Sequence, residues 1–467
     1  MASLLLNGQE KLQQVTQLLN SLEKDTKENS LTSAQREQIL LQLRQHGTSP
    51  QNAGPIYSKN GIEILAKYGI DGEKPNVCRA ALRCVANALL LDPSMRQIFV
   101  DTGYSGKLAE RLKCDSSEDE MVTSRILFLS TYDTTLDFDK LIKEHSLADN
   151  INNQIARHAK QFPKSGKKSL SQMDELAFID TLKLTFNIAK LYPDLAPSFS
   201  PSIPSLLKVI SRIHIPSKPL DGLIGSILNC LSTLDLEGKK NKHPENNPLF
   251  PKFNQNCNVD KLINILDQAV SSHSPGELES KSIPLFHALI IIHELAPDGP
   301  RKYMQWLLLP EDSDRSQPIG HSDTLSSRLL KLSTTAFPNL KTAISELMFV
   351  LSGKNAENLT KNIGYGFAAG LLASRGIEIP QSAKEAFATN SDGLDPEINP
   401  ITGQRFDAEP KDTGPPMSKE EKEREAERLF VLFERARANG LLGVENPVRQ
   451  ALHEGRLEEL PDSDDSD

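Results

Sequence analysis

Cysteine is scarce in this chain and poorly placed for its usual tasks. The five thiols, Cys78, Cys84, Cys114, Cys230 and Cys257, are odd in number and have no CxxC spacing. That pattern excludes a cysteine-built zinc site and a disulfide framework, and it leaves buried thiols in a reducing compartment. Positive charge is in deficit: 53 Lys and Arg against 62 Asp and Glu leave a net charge of −9. General affinity for nucleic acid or an anionic membrane is therefore not expected, though local basic patches stay open. No segment has the roughly 18 consecutive apolar residues of a spanning helix, and Leu4-Leu5-Leu6 is too short for a leader. The expected location is the cytoplasm.

Recognisable catalytic patterns are missing as well. The ten histidines are dispersed, with no HExxH and no metal-ligand spacing, so no metal is expected. Lys164-Ser165-Gly166-Lys167-Lys168-Ser169 lacks the first glycine of a phosphate loop and follows no apolar strand. Gly364-Tyr365-Gly366-Phe367 is too short for a dinucleotide fingerprint. Neither a cofactor nor covalent catalysis is indicated. Sustained alternation of β-branched residues is also absent, which leaves no sheet to predict.

What the chain does have is a series of apolar helical runs. At 467 residues it exceeds the size at which one compact core usually stops growing, and no strong linker precedes residue 380, so an extended solenoid fits. Runs at 121–132, 175–191, 203–213, 221–235, 259–270, 282–296, 303–309, 325–334, 340–351 and 363–374 are mostly separated by short Pro- or Gly-containing connections. This spacing predicts an all-α superhelix of repeats about 40 residues long. Residues 8–45 read as a helical hairpin capping the array, Asp115 to Glu120 as an acidic loop, and the polar stretch 139–173 as carrying an exposed insertion at Lys164 to Lys168.

The run from Val77 to Leu91 is apolar nearly all round except for Arg79, Arg83 and Asn87. Spaced by four, these form one narrow stripe on a helix, as if lining a groove. Asn187 with Lys183, Asn229, Arg125 and, more weakly, His293 repeat that grammar downstream. Buried unpaired polar groups cost a few kcal/mol, roughly 1–3 each, so each of these needs a partner. A neighbouring backbone could supply it. A recurring ladder instead suggests a shared concave face that grips another chain.

Beyond residue 375 the character changes. The chain divides into a solenoid (1–375), a flexible linker carrying Asn399-Pro400-Ile401-Thr402-Gly403 (376–417), an amphipathic helix (418–440) and an acidic tail (441–467). The helix opens with the capping box Ser418/Glu421, stops at Gly440, and carries Leu429, Phe430 and Phe433 at helical spacing.

Two loops carry a resemblance to a known family. Leu234-Asp235-Leu236-Glu237-Gly238-Lys239-Lys240-Asn241-Lys242-His243-Pro244-Glu245-Asn246-Asn247-Pro248-Leu249-Phe250-Pro251 resembles a signature of the synembryn family. Asn399-Pro400-Ile401-Thr402-Gly403-Gln404-Arg405, followed by Met417 to Lys422 and the Leu/Phe helix, is similar to a second. The Arg/Asn helix 77–91 and Leu182 to Ala189 look similar too. Family members are cytosolic guanine-nucleotide exchange factors and folding chaperones for heterotrimeric G-protein α subunits, built from armadillo- and HEAT-like repeats.

The resemblance implies that the last helix of the α subunit, at its C-terminus, docks in the concave groove, loosening the nucleotide pocket so that GDP leaves. Candidate contacts are then Arg79, Arg83, Asn87, Arg125, Lys183, Asn187 and Asn229, with arginines suited to the terminal carboxylate and exposed carbonyls of that helix. It also implies that 418–439 wraps onto the nucleotide-binding domain through Leu429, Phe430 and Phe433. Further expectations are a monomer that binds GDP-loaded and nucleotide-free α subunits and reaches the plasma membrane through its partner. Animal members carry an acidic, phosphorylated stretch before the Asn-Pro motif; here that region is Ala386 to Gly393, with Thr389 a weak acceptor and Ser463 and Ser466 alternatives. The competing reading is an armadillo-type adaptor that holds a peptide without exchange. Such adaptors pair ladder asparagines with tryptophans and acidic residues, whereas this ladder is mostly basic and Trp306 lies far from it.

Overall fold

In the computed structural model, residues 8–163, 170–237, 247–378, 380, 398–409, 418–438 and 449 are described. They form two compact units, Met1–Glu409 and Pro410–Asp467. The first is an all-α stack of helical repeats. Its N-terminal hairpin is α1 (Gly8–Glu28) and α2 (Ser33–His46), with Thr32 and Gln35 closing a capping box at the break between them. Arg36 of α2 and Tyr68 both hydrogen-bond to Asp25 of α1. Although burial acts to raise it, these bonds hold the Asp25 carboxyl down at about 2.

Then follow α3 (Lys59–Ile70), α4 (Pro75–Leu91), α5 (Ser94–Asp101), α6 (Ser105–Arg111) and α7 (Ser117–Leu129). Pro75 occupies the first turn of α4, where its missing N–H costs nothing, and Asp92-Pro93 ends the helix. The acidic segment expected as a loop instead opens α7. Ser116 caps it by accepting the Asp119 N–H, and Glu118, Asp119 and Glu120 fill the first turn, where the helix dipole favours negative charge.

The stretch read as polar between 139 and 173 contains two helices, α8 (Phe138–His145) and α9 (Leu147–Lys160). Three buried positions of α9 are polar, which hid its core face. Asn150 donates to the Ala109 carbonyl, and Gln154 donates to those of Leu112 and Cys114. Residues 164–169, the Lys-rich segment, lie outside the described residues.

The stack continues with α10 (Gln172–Leu191), α11 (Ile203–Arg212), α12 (Gly222–Leu231), α13 (Cys257–Ser272), α14 (Pro275–Lys281), α15 (Ile283–Leu295), α16 (Asp298–Leu308), α17 (Leu325–Ser333), α18 (Pro338–Leu351), α19 (Ala356–Ile363) and α20 (Tyr365–Ser374). Helices α4, α7, α10, α12, α15 and α18 pack one on the next as a continuous inner row, and the others cover it. They begin at residues 75, 117, 172, 222, 283 and 338, so most repeats are longer than the expected 40 or so because additional helices sit between them. Fully buried Leu82, Leu127, Leu184, Leu228, Leu289 and Leu347 run through this row. Each stabilises the stack by about 1.5–3 kcal/mol relative to an exposed side chain.

Among the described residues the β structure amounts to a single antiparallel bridge, Ile398 to Arg405. No helix of these residues is long and apolar enough to cross a membrane. The five thiols are free, and burial pushes Cys84 up to about 12. The second unit contributes α21 (Lys419–Ala438), opened by the Ser418/Glu421 capping box. Its expected stop, Gly440, and the acidic tail apart from Arg449 lie outside the described residues.

Candidate functional site

Helices α7 and α10 run parallel and in register. The pairs Ser124–Thr181, Arg125–Asp180 and Thr131–Asn187 keep nearly the same sequence offset along both helices. Helix α4 packs on the other side of α7. On each helix, the side chains one and two turns apart share a face: Arg79, Arg83, Asn87 and Leu90 on α4, Arg125, Phe128 and Tyr132 on α7, and Lys183, Phe186 and Lys190 on α10. The sequence therefore sets Arg79, Arg83, Arg125 and Lys183 toward one end of this three-helix face and the apolar groups toward the other, where Lys190 is the basic exception.

The basic end is an ion-pair network. Arg79 holds Asp119 through Nε (3.0 Å) and Nη2 (2.7 Å), Glu118 through Nη1 (2.8 Å), and the Ser116 hydroxyl at 3.1 Å. Arg111 of α6 binds the other Asp119 oxygen at 2.7 Å. Arg83 reaches the second oxygen of Glu118 at 3.1 Å. One helix on, Arg125 grips Asp180 at 2.7 and 2.9 Å, while Lys183 stands 3.7 Å from the same carboxylate.

These groups fall into two tiers. Asp119 and Asp180 are deeply buried, with side chains 11% and 3% exposed. Burial acts to raise both carboxyls. At Asp119 the hydrogen bonds from Arg79 and Arg111 prevail and hold it below the ordinary range. At Asp180 burial prevails over Arg125 and Lys183, and its carboxyl is raised. Arg79 and Arg125 are thus tied to buried acids. Among the described residues Arg83 meets only a half-exposed Glu118, and Lys183 is 47% exposed at the edge of its pair. Five cations face three carboxylates in these pairs, so the cluster carries excess positive charge although the chain is acidic. Behind it, fully buried Glu120 bonds His158, Arg157 and the Thr181 hydroxyl, locking α7, α9 and α10 together.

Lys183 Nζ lies 5.9 Å from the Phe128 ring centre, Phe128 meets Tyr132 edge-on at 5.4 Å, and Lys190 lies 5.3 Å from Phe186. Leu90, Tyr132 and Leu191 are exposed beside them. Sequence reasoning missed this apolar end and the acids Glu118, Asp119 and Asp180. The first was readable in the spacing Arg125, Phe128, Tyr132. The cap was readable in Ser116 followed three residues later by Asp119.

The other candidates are placed as follows. Asn187 is buried and donates to the Thr131 hydroxyl at 2.7 Å. Asn87 and Asn229 are half-buried on α4 and α12. His293 is buried in the core of α15, where burial lowers its pKa to about 4. On α21, Leu429 is 58% exposed and Phe430 and Phe433 are half-buried, with the Arg449 guanidinium 6.0 Å from the Phe430 ring centre. Thr389, Ser463 and Ser466 lie outside the described residues. Among the described residues no cluster of His, Cys, Asp or Glu could hold a metal.

Within the stretch expected as a connector, residues 398–409 form a turn docked on the end of the stack. The N–H groups that open α20 donate to this turn, Tyr365 to the Pro400 carbonyl (2.8 Å) and Gly366 to that of Ile401 (3.0 Å). At the end of α19, buried Arg315 donates to the carbonyls of Lys361 (3.2 Å), Asn362 (3.1 Å) and Gly403 (2.9 Å). Gly364 between these helices has φ +76°, and a Cβ there would fall 2.7 Å from the Ile401 oxygen. The glycines at 364 and 366 thus serve a helix junction. Of the longer loop motif, residues 238–246 lie outside the described residues, while Leu234, Leu236, Leu249 and Phe250 are buried.

Compared with known proteins, the chain is similar over residues 39–456 to the family described as guanine nucleotide exchange factor synembryn. It is 24% identical over 466 residues to Chaperone Ric-8A of Macaca fascicularis, spanning 88% of this chain and 84% of that protein. It is 31% identical over 170 residues to a synembryn-like chaperone of Schizosaccharomyces pombe, spanning 34% of this chain and 32% of that one. Among solved structures, a designed armadillo repeat protein is similar at a TM-score of 0.36 and 13% identity, covering 60% of this chain and 98% of that one.

Proposed function

We propose, from the premise that the chain belongs to the guanine nucleotide exchange factor synembryn family, that it is an exchange factor and folding chaperone for G-protein α subunits. In this reading the face shared by α4, α7 and α10 is concave and receives the helix at the C-terminus of the α subunit. The observation that supports it is the net-positive cluster of Arg79, Arg83, Arg111, Arg125 and Lys183 beside half-exposed Phe128 and Phe186. A helix that ends in a carboxylate and has one apolar face matches both ends of that surface.

Arg83, the loosely held cation, would meet the carboxylate together with the edge of Arg79 that faces Glu118, and Lys183 would stand as a second loosely held cation on the face. Arg79, Arg125 and Asn187 would fix the frame on which they stand, with Asn87 and Asn229 extending the polar edge. Leu429, Phe430 and Phe433 of α21 would supply a second, apolar contact to the nucleotide-binding domain. No bond to the nucleotide is made or broken. Release follows from tighter binding of the nucleotide-free state, and a preference of about 5.5 kcal/mol would turn a 1:99 population into 99:1.

The test is the rate of GDP release from purified α subunit with and without the full chain. The expected result is faster release, and loss of that effect in Arg79→Ala/Arg83→Ala with helical content retained. Binding without faster release would favour the adaptor reading, and unchanged stimulation by the double variant would remove this face from the mechanism.

A further inference from the structure

Arg79 and Arg83 lie one turn apart on α4, and a single carboxylate spans them. One oxygen of Glu118 accepts from Arg79 Nη1 at 2.8 Å and the other from Arg83 Nη2 at 3.1 Å. Two guanidinium groups bridged in this way are set at a spacing that a carboxylate fits with both oxygens. The bridging acid is unlike its neighbour. Asp119 is buried and fixed by two arginines, whereas the Glu118 side chain is 41% exposed.

The consequences of removing each acid therefore differ. Without Glu118, Arg79 keeps Asp119 and the Ser116 hydroxyl and stays where it is. Arg83 loses the hydrogen-bonded carboxylate it has among the described residues. Glu118 itself loses little by swinging away, since it remains in the first turn of α7, where the helix dipole still favours its charge.

We infer that Glu118 is a displaceable placeholder that occupies the Arg79–Arg83 pair until a ligand's carboxylate replaces it. This rests on the reading of the face given above and adds a selectivity device to it. The resident acid keeps the two arginines apart and oriented in the unbound protein. It also sets a threshold: a ligand must bring its own carboxylate to gain the site, because a neutral end leaves Glu118 in place and gains nothing from the arginines. An uncovered arginine pair would capture any anion in reach.

The experiment compares the full chain with Glu118→Gln, Asp115→Asn and Arg83→Ala. The probe is a synthetic peptide with the sequence of the last helix of a G-protein α chain, bearing either a free carboxylate or a terminal amide. Glutamine keeps the length of Glu118 but gives up its charge, and the partly exposed position tolerates the change. Binding of the free-acid peptide should tighten by about threefold, the scale of a partly exposed ion pair, while binding of the amide stays level.

Asp115 is an exposed acid outside these pairs and controls for the general loss of negative charge. Equal tightening by Asp115→Asn, or equal tightening toward the amide, would overturn the proposal. So would Glu118→Gln binding the free acid no better than the unaltered chain while Arg83→Ala abolishes the preference for acid over amide. In that case the face still binds carboxylate. If Arg83→Ala leaves free-acid binding unchanged, the reading of the face itself fails and the placeholder with it.

Discussion

Two regions of the stack use buried or half-buried arginine in opposite ways. On the face of α4, α7 and α10, guanidinium groups are matched by carboxylates, and part of each cation remains toward solvent. At the far end, Arg315 is buried and its hydrogen bonds go to three backbone carbonyls, two of them at the end of α19. Burial acts to lower the Arg315 pKa while Asp312 and Asp314 oppose it, and the group stays charged. A carboxylate partner is the kind of group a ligand can also bring, so the first arrangement is exchangeable. Backbone carbonyls at a helix end have no such substitute. The second arrangement is a clip that fastens residues 398–409 to the stack.

The comparison is most exposed to failure at Arg315. Replacement by Met should cost about 3 kcal/mol, because three carbonyls, the buried one of Gly403 and the part-buried ones of Lys361 and Asn362, lose their donor. The denaturant midpoint and proteolysis within 398–409 would measure it, and a loss below about 1 kcal/mol would show that the clip is dispensable. Next comes Arg125→Ala, which leaves buried Asp180 with Lys183 alone and should cost about 2 kcal/mol near neutral pH. That cost should shrink on acidification as the carboxyl neutralises. A pH-independent loss would mean that packing, not charge, is what Arg125 provides.

His293 sharpens the contrast as a third case, since its Nε2 has no partner among the described residues. Its folded pKa is depressed to about 4 against an unfolded value near 6.5. The unfolded chain therefore takes up the proton first, and the neutral ring's contribution, complete above about pH 6.5, is lost as pH falls toward about 4. Stability should drop by about 1–2 kcal/mol between about pH 7.5 and about pH 5, and His293→Leu should flatten that slope. The smallest effect on stability is expected for Arg83→Ala, below about 1 kcal/mol for a partly exposed pair, accompanied by loss of carboxylate binding. A large stability loss there would move Arg83 into the frame with Arg79.

Much of this was legible in residue order. The apolar runs located nearly every inner helix, and the stripe of Arg79, Arg83 and Asn87 marked the side of α4 that the core leaves uncovered. Helix α9 was not legible, because Asn150, Gln154 and His158 look solvated until the carbonyls and the carboxylate that satisfy them are in place. The acidic start of α7 was misread for a related reason: its charges suggested a loop, and most of the arginines that neutralise them come from α4 and α9, far away in sequence, with Arg111 of α6 nearer. The turn at 398–409 looked like part of a connector because Pro400 and Gly403 are turn residues. Their task, closing the junction of α19 and α20, depends on contacts across the fold.

Residue order by itself determined that this chain is a row of helices with a basic stripe on one side, since amphipathic periodicity and breaker residues act locally. Tertiary structure alone decided which cations that stripe leaves available. The acids that bind Arg79 and Arg125 lie 40 and 55 positions along the chain. Whether a charge is spent or free depends on the distance and burial of such partners, which local periodicity does not encode.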